Sequence, residues 1–221
     1  MNKPFVALAG NIGAGKSTAA KIIARHFGFE LFHEPVVENR FLKHYYSDMT
    51  RWSFTLQMEF LLKRIEHHVD IEKMSAGCVQ DRTLIEDPEV FAKYLHGLGH
   101  MADSELDLYF DYFRRFNETI SQPTKVILLH TPDVNVLLRR IAERGREEER
   151  GITNEFLRGL NAYYETFDQV AKSKYGLDIL KVDVTNRDVR HGEELEKFVE
   201  EIDVFLKHGN DDAAELPLDY S

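Results

Sequence analysis

Gly10-Asn11-Ile12-Gly13-Ala14-Gly15-Lys16-Ser17-Thr18 fits the pattern G-x-x-x-x-G-K-[ST], and both of its flanks are what that pattern needs. The run Phe5–Ala9 before it is short and apolar, as a buried strand is. Residues 17–27 after it carry apolar side chains at helical spacing (Ala20, Ile23, Ala24, Phe27). A strand feeding a glycine loop feeding a helix gathers free backbone N–H groups and the positive helix end around an anion. Glycines let the backbone wrap a phosphate where a Cβ would clash. In such a loop Lys16 reaches the β- and γ-phosphates, the Ser17 hydroxyl ligates Mg²⁺, and Thr18 completes the cradle.

At 221 residues the chain is one domain of ordinary size, with 43% apolar and 30% charged residues. Residues 1–207 are expected to form that domain and 208–221, polar and acidic, a loose tail. No apolar run approaches a membrane span, and Met1-Asn2-Lys3-Pro4 leads into a strand without a signal-peptide pattern. The single Cys78 suits a reducing, cytoplasmic setting. A net charge of −10 argues against a nucleic-acid polymer as partner, so phosphates must be met by local Arg and Lys clusters.

Working outward, Glu30-Leu31-Phe32-His33 reads as a second strand. Pro35 forces Glu34 into an extended conformation at its end, near the phosphate loop if the strand is parallel. Residues 39–46 form a short helix ending in Tyr45-Tyr46, and 52–72 a long one with an apolar stripe of Phe54, Met58, Leu61, Ile65 and Val69. Gln57 and Arg64 lie two turns apart, about 10 Å along the axis, on the side that carries Phe60. They are either a solvated helix edge or a pocket wall whose amide faces a nucleobase edge. His67-His68 read as a wet helix face.

Cys78-Val79-Gln80 delivers Asp81-Arg82-Thr83 as a parallel strand delivers catalytic groups to its carboxyl end. Glu86-Asp87-Pro88 opens the next helix, where acids suit the dipole. His96 and His100 have i, i+4 spacing but lack a third ligand, so no metal site is expected there. Residues 104–120 form a helix whose aromatics (Tyr109, Tyr112, Phe113, Phe116) signify core or subunit contact. Lys125–His130 is the clearest buried strand, and Pro132-Asp133 opens the helix Val134–Arg144. Arg139, Arg140, Arg144, Arg146 and Arg150 then surround Glu147-Glu148-Glu149. That segment is either a salt-bridged helix end or an arginine-rich lid over a triphosphate. Residues 154–174 read as one long helix, 177–182 as the last strand and 193–206 as the last helix. The fold class is α/β, a five-stranded parallel sheet flanked by helices.

The phosphate loop, Glu34-Pro35, Trp52-Ser53-Phe54-Thr55-Leu56-Gln57, Asp81-Arg82-Thr83 and the arginine-rich segment, in this order, resemble the deoxynucleoside kinase family of deoxycytidine, deoxyguanosine and deoxyadenosine kinases. The resemblance runs from Pro4 to Leu206. It implies a P-loop kinase fold, a homodimer with a helical interface, ATP with Mg²⁺ as donor and a deoxynucleoside 5′-monophosphate as product. By the same resemblance Glu34 is the carboxylate beside the acceptor 5′-hydroxyl, and Tyr46 and Glu149 grip the sugar 3′-hydroxyl. Gln57 binds the base edge, Arg64 and Asp87 are the charged pair deep in the base pocket, and Phe91 lines it. Asp81 is the implied general base, orienting the hydroxyl and taking its proton late, and Arg82 holds both it and the phosphoryl group. Arg140, Arg144 and Arg146 are lid arginines. The metal falls to Ser17, with Asp81 or Glu34 behind it. Asp81 stands where animal members carry glutamate and Thr83 where they carry serine; aspartate occurs in bacterial members, which favours deoxyadenosine over deoxyguanosine and deoxycytidine.

Two other readings share the phosphate loop. A thymidylate-type monophosphate kinase would favour an added arginine near Glu34, and Gln57 also argues against it. A GTP-dependent switch would carry Asn-Lys-x-Asp, which Thr185-Asn186-Arg187-Asp188 does not supply.

Overall fold

Strand β1 (Phe5–Ala9) lies at the middle of a five-stranded sheet of order β2-β3-β1-β4-β5, in the computed structural model, which describes residues 3–34 and 39–208. β2 (Glu30–Phe32), β3 (Cys78–Asp81), β4 (Lys125–His130) and β5 (Ile179–Asp183) all pair in parallel with their neighbours. The chain fills one side of β1 with β2 and β3, then crosses to β4 and β5, so the order reverses at β1. Ligands of open α/β sheets bind at the carboxyl ends of strands where that reversal occurs.

The strands alternate between two covered faces, as their near-continuous apolar runs require. Ala7, Cys78, Val126, Leu128 and Ile179 face one core, filled by Leu61 and Ile65 of α3 (Met49–Lys73), Tyr109 and Phe113 of α5 (Asp103–Asn117) and Phe167 of α8 (Phe167–Tyr175). Val6, Leu8, Val79, Ile127 and Leu180 face the other. Ile23 of α1 (Lys16–Phe27), Leu137 of α6 (Val134–Arg144) and Phe198 of α9 (Gly192–His208) close that side. The remaining helices are α2 (Leu42–Tyr45), α4 (Lys93–Gly97) and α7 (Asn154–Tyr164).

Four expectations change. The buried face of α3 runs through Leu56, Gln57, Leu61, Arg64, Ile65, His68 and Ile71, while Val69 is exposed and Phe54 and Met58 are half-buried. The inward side is thus partly polar, because it faces the site and not only the core. His68 is buried, not wet: its ring packs edge-on against Phe5 and its Nδ1 lies 2.8 Å from the Ser121 carbonyl. The segment after Asp81-Arg82-Thr83 begins as a π-helical stretch (Asp87–Ala92) before becoming α4. Asp87 is buried there, so the helix dipole is not its main partner.

The expected single helix over 154–174 is two, α7 and α8, broken at Glu165 and Thr166. The Glu165 carbonyl is taken by Lys181 Nζ at 3.2 Å. Pro35 and Val36, and the tail beyond His208, lie outside the described residues.

Candidate active site

The carboxyl ends of β1, β2 and β3 open onto a cavity of about 390 Å³. Its phosphate-loop side is formed by Ile12, Gly13, Gly15, Lys16, Ser17 and Thr18. The loop's shape depends on its glycines: at Gly10 (φ +142°) a Cβ would sit 2.4 Å from the Leu129 carbonyl oxygen, and at Gly13 (φ +83°) 2.7 Å from that of Leu137. Lys16 is buried and its Nζ folds onto the Gly10 and Asn11 carbonyls at 2.7 and 3.0 Å. Burial, aided by the Arg82 charge, lowers its pKa to about 8. Gly10 and Asn11 were expected to touch nucleotide, yet neither lines this cavity or the one beside it. Asn11 instead donates to the Leu157 carbonyl and to Asn161 Oδ1, tying the loop to α7.

The other wall gathers residues far apart in sequence. Glu34 reaches it from beyond β2, Gln57, Phe60 and Arg64 from α3, Arg82 from the end of β3, and Asp87 and Phe91 from the π-helical stretch. Arg64 Nε donates to Asp87 Oδ2 at 2.5 Å, both side chains almost wholly buried. Burial raises the Asp87 pKa to about 6 despite the guanidinium beside it. Gln57 is also buried, and its Oε1 has no hydrogen-bond partner among the described residues. The Arg82 guanidinium stacks over the Phe91 ring at 4.7 Å.

Glu34 pairs with Arg82 Nε and, at 3.5 Å, with Arg64 Nη2. Burial alone would raise its pKa, but Arg82, Lys16 and Arg64 outweigh it and hold it at about 2. Asp81 lies elsewhere. It does not line the cavity; its Oδ2 accepts from Ser17 Oγ at 2.5 Å, and its Oδ1 is buried without a partner among the described residues. Burial, and then the Glu34 charge, raise its pKa. Of the two carboxylates, Glu34 lines the cavity, whereas Asp81, expected there as general base, lies behind Ser17.

Tyr46, Arg144, Arg146 and Glu149 close the same cavity. Both arginines pair with Glu149: Arg144 Nη2 at 2.6 Å and Arg146 Nη1 at 3.4 Å. Residues Glu147–Glu149 form a short 3₁₀ turn. Arg140 is not with them. It lines a second cavity of about 610 Å³ on the other side of Gly13, Ala14, Gly15 and Thr18, shared with Arg187 and Arg190, and it donates to the Val184 carbonyl at 2.6 Å. Arg144 borders both cavities.

Sequence reading gave Glu86 and Tyr164 no role at the site, yet they form a buried network behind Arg82. Glu86 Oε1 accepts from Arg82 Nη1 at 3.0 Å and from the Tyr164 hydroxyl at 2.7 Å. The signal available was Thr83-Leu84-Ile85-Glu86, the T-x-x-E pattern of a capping box. Arg82 also holds a left-handed backbone (φ +78°), which no sequence pattern announces.

So many buried ions are poor stabilisers. Desolvation costs several kcal/mol per ion, and packed apolar side chains often serve stability as well or better. Their place beneath a cavity that shares its walls with a phosphate loop points to recognition of a polar ligand.

Known proteins agree with this geometry. The family model for deoxynucleoside kinase matches residues 6–207. The deoxyadenosine/deoxycytidine kinase of Bacillus subtilis (strain 168) is 31% identical over 200 residues, which cover 90% of this chain and 91% of that one. The deoxyadenosine kinase of Dictyostelium discoideum is 32% identical over 169 residues, 76% of this chain and 68% of that one. Among solved structures, the deoxyadenosine kinase from M. mycoides with bound dATP is 30% identical and superposes with a TM-score of 0.78 over 90% of this chain and 99% of that one. The same enzyme has been solved with dCMP and a flexible dCDP, and with dCTP. From the phosphate loop to the last helix, the chain belongs to the deoxynucleoside kinase family.

Proposed function

We propose that this kinase transfers the γ-phosphoryl group of ATP to the 5′-hydroxyl of a deoxynucleoside, with deoxyadenosine preferred, as a step of nucleotide salvage. One observation carries the reading: a single cavity is lined both by the phosphate loop and by Gln57 with the buried Arg64–Asp87 pair. The unpartnered Gln57 Oε1 suits an exocyclic amine, which adenine and cytosine carry and thymine lacks. The M. mycoides relative with bound dATP supports adenine first. Tyr46 and Glu149 take the sugar, and Phe91 flanks the base.

Glu34 stands at the acceptor hydroxyl in place of Asp81. A carboxylate held at a pKa of about 2 cannot ionise an alcohol in advance. It orients the O–H and takes the proton late, as the new O–P bond forms and the bond from the γ-phosphorus to the bridging oxygen breaks. Lys16, Arg82 and the Arg144–Arg146 lid, held by Glu149, surround the charge that moves. Arg140, Arg187 and Arg190 line a cavity fit for the rest of the donor.

Ser17 and Asp81 offer hard oxygens, one of them unpartnered, and so fit a divalent cation, which we take as Mg²⁺. Such an ion, when bound, neutralises charge on the donor phosphates.

We place the enzyme in the cytoplasm as a homodimer. The only cysteine, Cys78, is a buried free thiol. Leu62 and Val69 of α3 and Leu108 and Tyr112 of α5 expose apolar surface on two helices that pack together. Sedimentation should give twice the chain mass, and a monomer at micromolar concentration would refute the pairing.

Rates with ATP·Mg²⁺ and each of the four deoxynucleosides, measured side by side, test the function. Deoxyadenosine is expected to lead in kcat/KM, with thymidine lowest. A different leader overturns the base preference, and inactivity on all four overturns the reaction.

A further inference from the structure

Glu86 does not line the cavity, has no solvent exposure and accepts five hydrogen bonds. Its two oxygens serve different partners. Oε2 takes the Thr83 N–H at 2.7 Å and the Thr83 hydroxyl at 3.0 Å, while Thr83 Oγ1 accepts from Glu86 N–H at 3.2 Å. That is a capping box, and it locks the turn that follows Arg82. Oε1 takes Gly10 N–H at 2.9 Å, Arg82 Nη1 at 3.0 Å and the Tyr164 hydroxyl at 2.7 Å. Gly10 is the root of the phosphate loop, and Tyr164 belongs to α7. Arg82 Nη1 also donates to the Tyr164 oxygen at 3.0 Å, so arginine, tyrosine and glutamate close a ring.

A helix cap alone would use only Oε2. Oε1 goes further and joins the loop that cradles phosphate to the cation that faces the cavity. Arg82 is held from two directions by the same carboxylate, through its guanidinium and through the next backbone amide. Its left-handed backbone (φ +78°) is strained for an arginine, whose Cβ crowds the following carbonyl there. Strain of that kind persists only where the surroundings over-determine it. The charge on Glu86 is likewise explained by Arg82, since a buried carboxylate without a cationic neighbour would be costly.

We propose that Glu86 is a positioning residue for phosphoryl transfer. Its carboxylate fixes the Arg82 guanidinium relative to the root of the phosphate loop, so the cation is in place before either substrate binds. This role rests on the kinase reading given above. Preorganised charge lowers the barrier because nothing must reorganise as the reaction proceeds.

Glu86→Gln keeps the shape but removes the charge and turns one oxygen into a donor among donors. Tyr164→Phe removes only the bridging hydroxyl. With ATP and deoxyadenosine, kcat should fall about tenfold or more in Glu86→Gln and several-fold in Tyr164→Phe. The deoxynucleoside KM should stay within about threefold of wild type, because Gln57, Arg64 and Asp87 are untouched. Unchanged kcat with a lowered melting temperature would make Glu86 a purely structural residue and overturn the proposal. A raised KM at unchanged kcat would do the same. Should Glu86→Gln not fold, Tyr164→Phe decides on the same terms. A wild-type chain inactive on every deoxynucleoside defeats the kinase reading instead. In that case the ¹⁵N signal of Arg82 Nε–H, assigned by its loss in Arg82→Lys, decides: a shift in both variants supports the role, and an unmoved signal overturns it.

Discussion

Two carboxylates flank the phosphate loop, and their neighbours divide the labour between them. Glu34 opens onto the cavity against Arg82 and Arg64, whereas Asp81 turns its Oδ2 to Ser17. Substituting each by its amide should therefore give different kinetics. Glu34→Gln removes the proposed proton acceptor and leaves two buried guanidinium groups short of charge, so kcat should drop about 10²-fold or more at any Mg²⁺ concentration. Asp81→Asn should raise the Mg²⁺ concentration for half-maximal rate about tenfold and recover much of its kcat in excess metal, as loss of a metal contact does. A Mg²⁺ titration of both variants checks this, and the reverse pattern would return the base role to Asp81. At this scale the site was legible where a residue type matched a motif: Gln57, Arg64 and Asp87 reach the cavity as expected. It was not legible where function lies in which oxygen meets which donor. The sequence contains Asp81 and Glu34 alike as acids after strands, and only packing separates them.

Elements were read best where the pattern serves the core alone. The strand Lys125–His130 is buried on both faces, so its apolar run is unambiguous. Helix α6 begins after Asp133, whose side chain accepts from Asn135 N–H at 2.9 Å, as a capping residue should. Reading failed where an element serves the site as well. On α3 the polar Gln57, Arg64 and His68 occupy the inward side, so the apolar residues mark a displaced stripe. The π-helical stretch places Asp87 and Phe91 on the cavity by widening a turn, a change of register that side-chain periodicity does not reveal. The break between α7 and α8 carries no Gly or Pro, and the Glu165 carbonyl freed there is taken by Lys181 of β5, sixteen residues on. The arginine segment shows the salt-bridged end that its alternating charges predict. Arg144 and Arg146 pair with Glu149, Arg150 pairs with Glu147, and Arg144 and Arg146 also line the cavity.

Taken as a whole, the molecule carries −10 but concentrates Lys16, Arg64 and Arg82 in its interior beside Glu34, Glu86 and Asp87. Such an interior makes stability respond to pH in opposing ways. His68 is held neutral: burial lowers its pKa to about 4, only partly offset by the Ser121 carbonyl. The unfolded chain takes this proton near pH 6.5 and the folded one only near 4, so stability is lost as pH falls through that window, by up to about 3 kcal/mol. Asp87 acts in the other direction. Burial raises its pKa to about 6, so the folded chain takes a proton that the unfolded chain refuses until about 3.9. Stability is gained as pH falls through the same range, and the raised Asp81 adds to that side. In wild type the two slopes offset each other down to about pH 4.5, below which Glu34 begins to cost stability, because the unfolded chain takes its proton there and the folded chain only near pH 2. Asp87→Asn cannot titrate, so it should uncover the His68 slope. Urea unfolding from pH 7 to 4.5 should show the variant losing about 2 kcal/mol more than wild type over the range, whatever its starting stability. Parallel curves for the two proteins would show that the Asp87 proton does not offset that of His68.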